Sequence, residues 1–140
     1  MDKICYVKKY KILIIILLVL MVASSGCNSN TTSSNVAPII FCEDINENLE
    51  PIGTSETFSV GEMYAYFQSP SPFNTSQLKI TVYKLEGAVE TIYDYAQEQV
   101  SQDWNTLALP IYIDTAGDYK VVITNPSDDQ IIGEGEVTVN

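Results

Sequence analysis

The sequence predicts an all-β domain, an antiparallel β-sandwich of about seven to eight strands, behind an N-terminal signal helix and a flexible tether. Two observations predict the strands. From residue 38 onward, short runs rich in β-branched and aromatic residues recur between clusters of glycine, proline, asparagine and aspartate. Within several of these runs apolar and polar residues alternate, which is the period of a strand with one buried side.

The predicted strands follow one another closely through the rest of the chain. They cover residues 39–42, 56–60, 62–68, 77–84, 90–95, 107–113, 118–124 and 131–139. Residues 95–100 are the exception, because their sequence favours a helical turn after Asp94. Many short strands at this spacing are typical of a sandwich or a barrel.

The first 26 residues predict a secretory signal peptide. Four of the seven lysines lie within the first eleven residues, and an unbroken apolar run follows at positions 12–23. A helix that crosses a membrane needs about 20 apolar residues, so this run is short for a permanent anchor. A basic start, a short apolar run and small residues at its exit are typical of a signal. An uncleaved anchor is the alternative.

Residues 23–27, Ala-Ser-Ser-Gly-Cys, resemble the lipobox of bacterial lipoproteins. The resemblance implies cleavage before Cys27, a diacylglycerol on its sulfur and an acyl group on the new amino terminus. It implies a protein held at the cell membrane or the outer membrane, facing the periplasm or the exterior. Several acyl chains anchor a protein firmly. A cleaved, freely secreted protein is the alternative.

Residues 27–37 follow as a tether, because their polar Ser/Thr/Asn stretch has no reason to pack. The folded domain then covers residues 38–140, with Cys42 as its one cysteine. An internal disulfide therefore cannot form. We expect Cys42 to be a small buried apolar group, with an intermolecular disulfide or a reactive thiol as the alternative.

One motif sharpens the predicted fold. Residues 114–121, Asp-Thr-Ala-Gly-Asp-Tyr-Lys-Val, resemble the tyrosine corner of immunoglobulin-like domains. The resemblance implies that the hydroxyl of Tyr119 bonds to upstream backbone and that the domain is an Ig-like sandwich. It is closest to the cysteine-poor Ig-like modules that are common on bacterial surfaces. An ordinary hairpin turn is the alternative.

Charge excludes several functions. The chain has 18 acidic residues, 7 basic residues and no histidine, which gives a net charge of −11. Every basic residue is a lysine, and without the signal three lysines remain against seventeen acidic residues, a net charge of −14. This composition provides no histidine triad, no arginine clamp and no basic surface for nucleic acid. We predict that the protein is not an enzyme, that nucleic acid is not a partner, and that the covalent lipid on Cys27 is its one prosthetic group.

The candidate binding residues are aromatic. Tyrosines recur in pairs within single strands, which predicts that each pair shares a face able to bind an envelope protein or a glycan. The candidates are Tyr64, Tyr66, Tyr83, Tyr93 and Tyr95. The alternative is cross-strand packing that stiffens the sheet. For Trp104 we expect a place in the core.

An acidic segment contains a metal-like pattern, with Asp128 and Asp129 as the alternative position. Asp44, Asn46 and Asn48 have the spacing that begins a calcium loop. A full EF-hand loop would need glycine where Leu49 stands and glutamate where Ser55 stands. We therefore predict no metal site and keep these three residues as calcium candidates.

Two functions fit these observations. The first is a membrane-anchored lipoprotein of the cell envelope that acts as a non-catalytic binding or adhesion module, which an exposed aromatic patch would favour. The second is a structural or accessory subunit of an envelope assembly that pairs through a sheet edge, which a long uncharged edge strand would favour.

Overall fold

The described part of the protein consists of strands and turns. The structure is a computed structural model that describes residues 36–140, and within that range no helix is present that could span a membrane. Its strands are β1 Ala37–Cys42, β2 Asp44–Ile45, β3 Pro51–Ile52, β4 Thr57–Phe58, β5 Gly61–Gln68, β6 Gln77–Glu86, β7 Val89–Gln99, β8 Thr106–Ile113, β9 Gly117–Asn125 and β10 Gln130–Val139. The predicted all-β class is confirmed. The predicted signal helix, Cys27 and residues 27–35 of the predicted tether lie outside the described residues. Ala37, the last residue of the predicted tether, is instead the first residue of β1.

Most of the strands pair antiparallel along one path. Their order is β7-β6-β9-β10-β1-β5-β8, with β4 also paired to β10, while β2 and β3 form a separate two-stranded hairpin. The pairs β1–β10 and β10–β4 are parallel, and the other pairs are antiparallel. The antiparallel character predicted from the sequence is therefore confirmed.

Strand β1 divides the path into two ladders. Its first two residues, Ala37 and Pro38, pair with β10, whereas Ile39–Cys42 pair with β5. We call β7-β6-β9-β10 the long ladder and β1-β5-β8 the short ladder. The proline at position 38 suits the point of transfer, because a proline cannot donate a backbone hydrogen bond to a ladder.

One hydrophobic core draws on both ladders. Alternate residues of β6 and β9 are buried, as the period of two requires. The short ladder contributes Phe67, whose ring stacks on Phe73 with a centroid distance of 6.0 Å. Buried members of this cluster include Ile39, Phe41, Met63, Ala65, Phe67, Leu78, Ile80, Val82, Ile113, Tyr119, Val121, Ile123, Val137 and Val139.

Two glycines of β10 allow the ladders to approach. A Cβ at Gly133 would lie 2.5 Å from Cε2 of Phe67, and a Cβ at Gly135 would lie 2.7 Å from the carbonyl oxygen of Ile39. Neither position has room for a side chain. Glycine therefore sets how closely β10 packs against β1 and the ring of Phe67.

The helical turn predicted over residues 95–100 is wrong. Strand β7 continues to Gln99 and pairs with β6 along its whole length, from Glu86↔Val89 to Gln77↔Gln99. The cause is a partner strand that is distant in sequence. Cross-strand pairing outweighs a weak local preference for helix.

The β2–β3 hairpin lies over the thiol of Cys42. The Glu43 N–H donates to the carbonyl of Ile52 at 2.9 Å, which closes the hairpin directly after Cys42. The Cys42 side chain is fully buried but lies outside the main core cluster. Burial raises the pKa of this thiol above its ordinary value.

Candidate functional site

The five candidate tyrosines lie in three separate places. Tyr64 and Tyr66 lie on β5, in alternation with the buried residues of that strand. Tyr83 lies on β6 and Tyr95 on β7, on the side of the long ladder that faces away from the core. Tyr93 packs against the core. The structure thus provides two aromatic faces and one buried aromatic contact.

Tyr93 and Tyr95 do not share a face, contrary to the spacing argument. A register shift between Val82 and Tyr83 leaves Tyr93 without a paired residue on β6, since Val82 pairs with Asp94 and Tyr83 with Ile92. A bulge of this kind adds one residue to a strand and turns the following side chains. As a result Tyr93 packs inward, whereas the Tyr95 side chain is 66% exposed.

Tyr93 takes part in a small polar cluster at the end of the long ladder. Its hydroxyl donates to Oδ1 of Asp114 at 2.7 Å, and its ring meets Tyr119 edge to face at 5.1 Å. The hydrogen bond from Tyr93, followed by that from Thr115, lowers the pKa of the Asp114 carboxyl. The same bond raises the pKa of Tyr93. These bonds fix a turn, so Tyr93 is a structural residue in this arrangement.

The long-ladder face consists of Tyr83, Ile92 and Tyr95, together with Val122 and Lys120. Tyr83 lies directly between Ile92 of β7 and Lys120 of β9, and in the next row Thr81 lies between Tyr95 and Val122. Ile92 is 62% exposed and Val122 is buried. Exposed apolar groups in adjacent positions on a sheet form a contiguous patch.

Charged groups border this patch. The Nζ of Lys120 lies 3.2 Å from Oε1 of Glu90 and 3.9 Å from Oε2 of Glu134. The hydrogen bond to Glu90 is the main reason that the pKa of Lys120 is raised. Lys120 thus stays cationic between two carboxylates.

The short-ladder face is also aromatic. Tyr66 pairs with Ile40 and Ala108, and Tyr64 pairs with Cys42 and Pro110. Both tyrosines are half-buried, while Tyr112 at the end of β8 is exposed. Sequence reasoning missed Tyr112, although it alternates with the buried Ile111 and Ile113 of β8. It also missed Ile92, whose strand β7 has no buried residue to mark its inward side.

The calcium candidates lie in and beside the turn of the β2–β3 hairpin. Oδ1 of Asn46 accepts the N–H groups of Asn48 and Glu50, both at 2.9 Å, and its Nδ2 donates to Glu50. The Asn46 side chain therefore closes the turn. Asp44 accepts the N–H of Ile45. Among residues 36–140, no group of three or more histidine, cysteine, aspartate or glutamate side chains is arranged to hold a metal ion.

Trp104 is not a core residue, contrary to expectation. Its side chain is 53% exposed in the loop between β7 and β8. The core positions next to this loop are occupied by Phe73 and Val100 instead. Because a single tryptophan gives no periodic signal, its spacing could not reveal on which side it lies.

Neither exposed sheet edge has the form that edge pairing needs. Strand β7 is long, but it carries Glu90, Asp94 and Glu98 and contains the bulge. Strand β8 has Pro110 in its middle. Charges, bulges and prolines on edge strands prevent pairing with another sheet. Neither β7 nor β8 is therefore the long uncharged edge strand that the predicted sheet-edge pairing would need.

A groove of about 630 Å³ lies beside β10 where β1 separates from it. Pro38, Ile39 and Phe41 form one side, and the carboxylates of Glu56, Asp118, Glu134 and Glu136 lie around it. The groove is open to solvent. These acidic groups are dispersed along its rim, consistent with the absence of a metal-like cluster among the described residues.

No protein-family model and no curated protein matches the chain. Among solved structures, the superoxide reductase (neelaredoxin) from Ignicoccus hospitalis is similar, with a TM-score of 0.39 and 8% sequence identity. The match covers 79% of this chain and 99% of that chain. A likeness at this level carries no activity over to this protein.

The predicted function needs correction. We expected a non-catalytic binding or adhesion module, or a sheet-edge accessory subunit, and the similar structure is named as an enzyme, which conflicts with that expectation. The predicted module is therefore withdrawn. The separate prediction that this chain is not an enzyme stays a prediction.

Proposed function

We propose that the chain is a lipid-anchored protein of the bacterial cell envelope whose Ig-like domain pairs with a second copy of itself in the same membrane. The anchor is the lipid on Cys27, and the residues between it and β1 form the tether. The observation that carries the pairing is the exposed long-ladder face with its apolar centre of Tyr83, Ile92 and Tyr95.

The Ig-like part of the proposal is supported by the strand order. The two ladders share one core, and β1 pairs with both of them, which suits a sandwich of two packed sheets. The hydroxyl of Tyr119 donates to the carbonyl of Thr115 at 2.7 Å at the start of β9. An upstream backbone acceptor is the partner that a tyrosine corner requires.

Charge favours the long-ladder face as the place of contact. The described residues carry three lysines and seventeen acidic residues, so two copies repel each other over most of their surfaces. Lys120 lies on the outward side of the long ladder, next to Glu90 and Glu134. Lys79 lies on the same side, where it pairs with Gln97 and Thr124. This face offers both signs of charge around an apolar centre, so it can complement itself across a two-fold axis.

The size of the face fits a weak contact that the membrane strengthens. Four strands about 4.8 Å apart, with about eight paired residues at about 3.3 Å each, cover a face of about 20 by 26 Å. Stable complexes bury about 800 Å² per partner, so this face belongs to the smaller interfaces. Confinement of both copies to one membrane raises their effective concentration, which compensates for a weak contact.

The test is crosslinking of the full chain in membranes of a bacterial host. Gln97→Cys places a thiol beside Tyr95 on the long-ladder face, and Gln68→Cys places a matched thiol on the short-ladder face. With a short thiol-specific crosslinker we expect a dimer from Gln97→Cys, little from Gln68→Cys, and loss of the dimer when Ile92→Asp is added.

Three results would contradict the pairing. One is the absence of any crosslink from Gln97→Cys, and another is an equal dimer yield from both cysteine variants. A crosslink from Gln97→Cys to a protein of different mass would identify an envelope protein as the occupant of the face. The wild-type chain controls for Cys42, which is buried.

A further inference from the structure

A cleft with an aromatic wall lies at the short ladder, beside β8. It has a volume of about 450 Å³ and lies between the turn of the β2–β3 hairpin and the loop that precedes β8. Leu49 and Trp104 form its apolar walls, Ala108 contributes from β8, and Asp103 and Asn105 provide its polar groups. This volume is in the range of small-ligand sites.

The loop that carries Trp104 is firmly fixed at its backbone. The N–H of Trp104 donates to Ser101, and its carbonyl accepts the N–H of Phe73 at 2.7 Å. The carbonyl of Asn105 accepts the N–H of Ser69, also at 2.7 Å. The indole is nevertheless 53% exposed and donates no hydrogen bond within the described residues. The backbone that carries this large aromatic ring is therefore preorganised, and the exposed ring is accessible to a ligand.

The opposite wall rests on an unusual backbone conformation. Leu49 has a φ of 59°, a value that residues other than glycine and asparagine rarely adopt. The Asn46 side chain holds this turn through its bonds to Asn48 and Glu50. The turn thereby presents an exposed leucine beside Trp104. Strain that displays an apolar group at a cleft is typical of a binding site.

We propose that this cleft binds one pyranose ring of a neutral glycan. The ring's apolar face would stack on the indole of Trp104 against Leu49 and Ala108, and its hydroxyls would donate to Asp103 and Asn105. An aromatic platform with a few polar groups at its rim suits a ligand with one apolar face and polar edges.

The charges around the cleft favour a neutral ligand. No lysine lines it, because the three lysines of the described residues lie on β6 and β9. An anionic sugar would meet Asp103 without a cation to offset it. Ser101 donates a short hydrogen bond to Asp103, and this bond lowers the pKa of the carboxyl, which stays an acceptor at neutral pH. The inference does not depend on pairing of copies.

The test uses the fluorescence of Trp104, the only tryptophan in the chain. The full lipidated chain in detergent is titrated with chitotetraose and with cellotetraose, each up to about 10 mM, which would saturate a site with a millimolar Kd. We expect a saturable change with at least one of them. Leu49→Ser should weaken the apparent affinity at least about fivefold. The control is Val89→Ser, which replaces an exposed apolar residue near the β6–β7 turn and should leave the affinity unchanged.

A separate experiment removes the indole of Trp104 and measures binding by NMR. In saturation-transfer NMR the same oligosaccharide should give a signal with the wild-type chain and none with Trp104→Ala, provided that its unfolding midpoint matches the wild type. The proposal is overturned if neither oligosaccharide gives a saturable response, or if Leu49→Ser binds like the wild type. It is also overturned if tetramethylammonium saturates the fluorescence change while the sugars do not, since that would identify a cation site.

Discussion

The hydroxyl of Tyr119 donates a hydrogen bond of 2.7 Å to the backbone carbonyl of Thr115, four residues earlier in the chain. The ring of Tyr119 is fully buried, and its desolvation raises the pKa of the phenol. One side chain thus fills the core and fixes the turn that precedes β9. Burial of an aromatic ring with its polar end satisfied is how a tyrosine suits such a position.

Loss of this bond should be measurable while the ring is kept. Tyr119→Phe leaves the carbonyl of Thr115 without its donor, so we expect a loss of about 1–2 kcal/mol in the free energy of unfolding. Urea denaturation measures the change. Tyr112→Phe is the matched control, because Tyr112 is exposed on β8, and it should change stability by less than about 0.5 kcal/mol. Equal effects of the two variants would show that the bond contributes nothing.

The bond between Tyr93 and Asp114 should make stability depend on pH. The folded state lowers the pKa of Asp114, so this group stabilises the fold above its ordinary pKa and the contribution is lost as pH falls through the lowered value. The raised pKa of Tyr93 adds a contribution that is present below the ordinary tyrosine pKa and is lost as pH rises through the raised value. Acid and strong alkali should therefore both weaken this cluster.

Tyr93→Phe tests this dependence on the acid side. Denaturation at a series of pH values from about 5 to about 2 should show a shallower loss of stability in Tyr93→Phe than in the wild type. The dependence should not vanish, because Thr115 still donates to Asp114. Tyr95→Phe should follow the wild-type curve. Parallel curves for Tyr93→Phe and the wild type would mean that Asp114 is not coupled to this phenol.

The strands could be predicted from the sequence because their signals are local. The run predicted at 77–84 is β6 Gln77–Glu86, and the run predicted at 118–124 is β9 Gly117–Asn125. Alternation of apolar and polar residues fixes which side of such a strand is buried. Leu78 and Tyr119 are accordingly both fully buried.

Features that depend on a distant partner could not be predicted in this way. The bulge at Tyr93 results from the register of β7 against β6, and it separates two tyrosines that their spacing places on one face. Residues 95–99 likewise form strand and not the predicted helical turn, because they pair with β6. Trp104 and Leu49 come together only because a hairpin and a loop far apart in sequence meet beside β8. Local periodicity contains no information about either contact.

Close packing at Gly133 predicts a large effect from one methyl group. A Cβ at this position would lie 2.5 Å from Cε2 of Phe67, well inside van der Waals contact. Gly133→Ala should therefore lower the free energy of unfolding by about 1–3 kcal/mol through overpacking. Thermal and urea denaturation measure this change.

A double-mutant cycle assigns the cause of that effect. Phe67→Leu removes the ring atoms that the new methyl group would meet, although it costs stability by itself. The double variant Gly133→Ala/Phe67→Leu should be more stable than the sum of the two single effects predicts, by at least about 0.5 kcal/mol. Strict additivity would show that the clash with Phe67 is not the reason for glycine at position 133.

The lipid anchor is tested by Cys27→Ala in the full chain. Without the thiol no diacylglycerol can be attached, so we expect the chain to leave the membrane fraction or to accumulate as an unprocessed precursor of lower mobility. A single acyl chain holds a protein only marginally at a membrane, so loss of the whole lipid group should be visible by simple fractionation. Cys42→Ala is the matched control. Because that thiol is buried in the folded domain, its removal should leave membrane association unchanged. Unchanged processing and unchanged membrane association of Cys27→Ala would contradict lipidation.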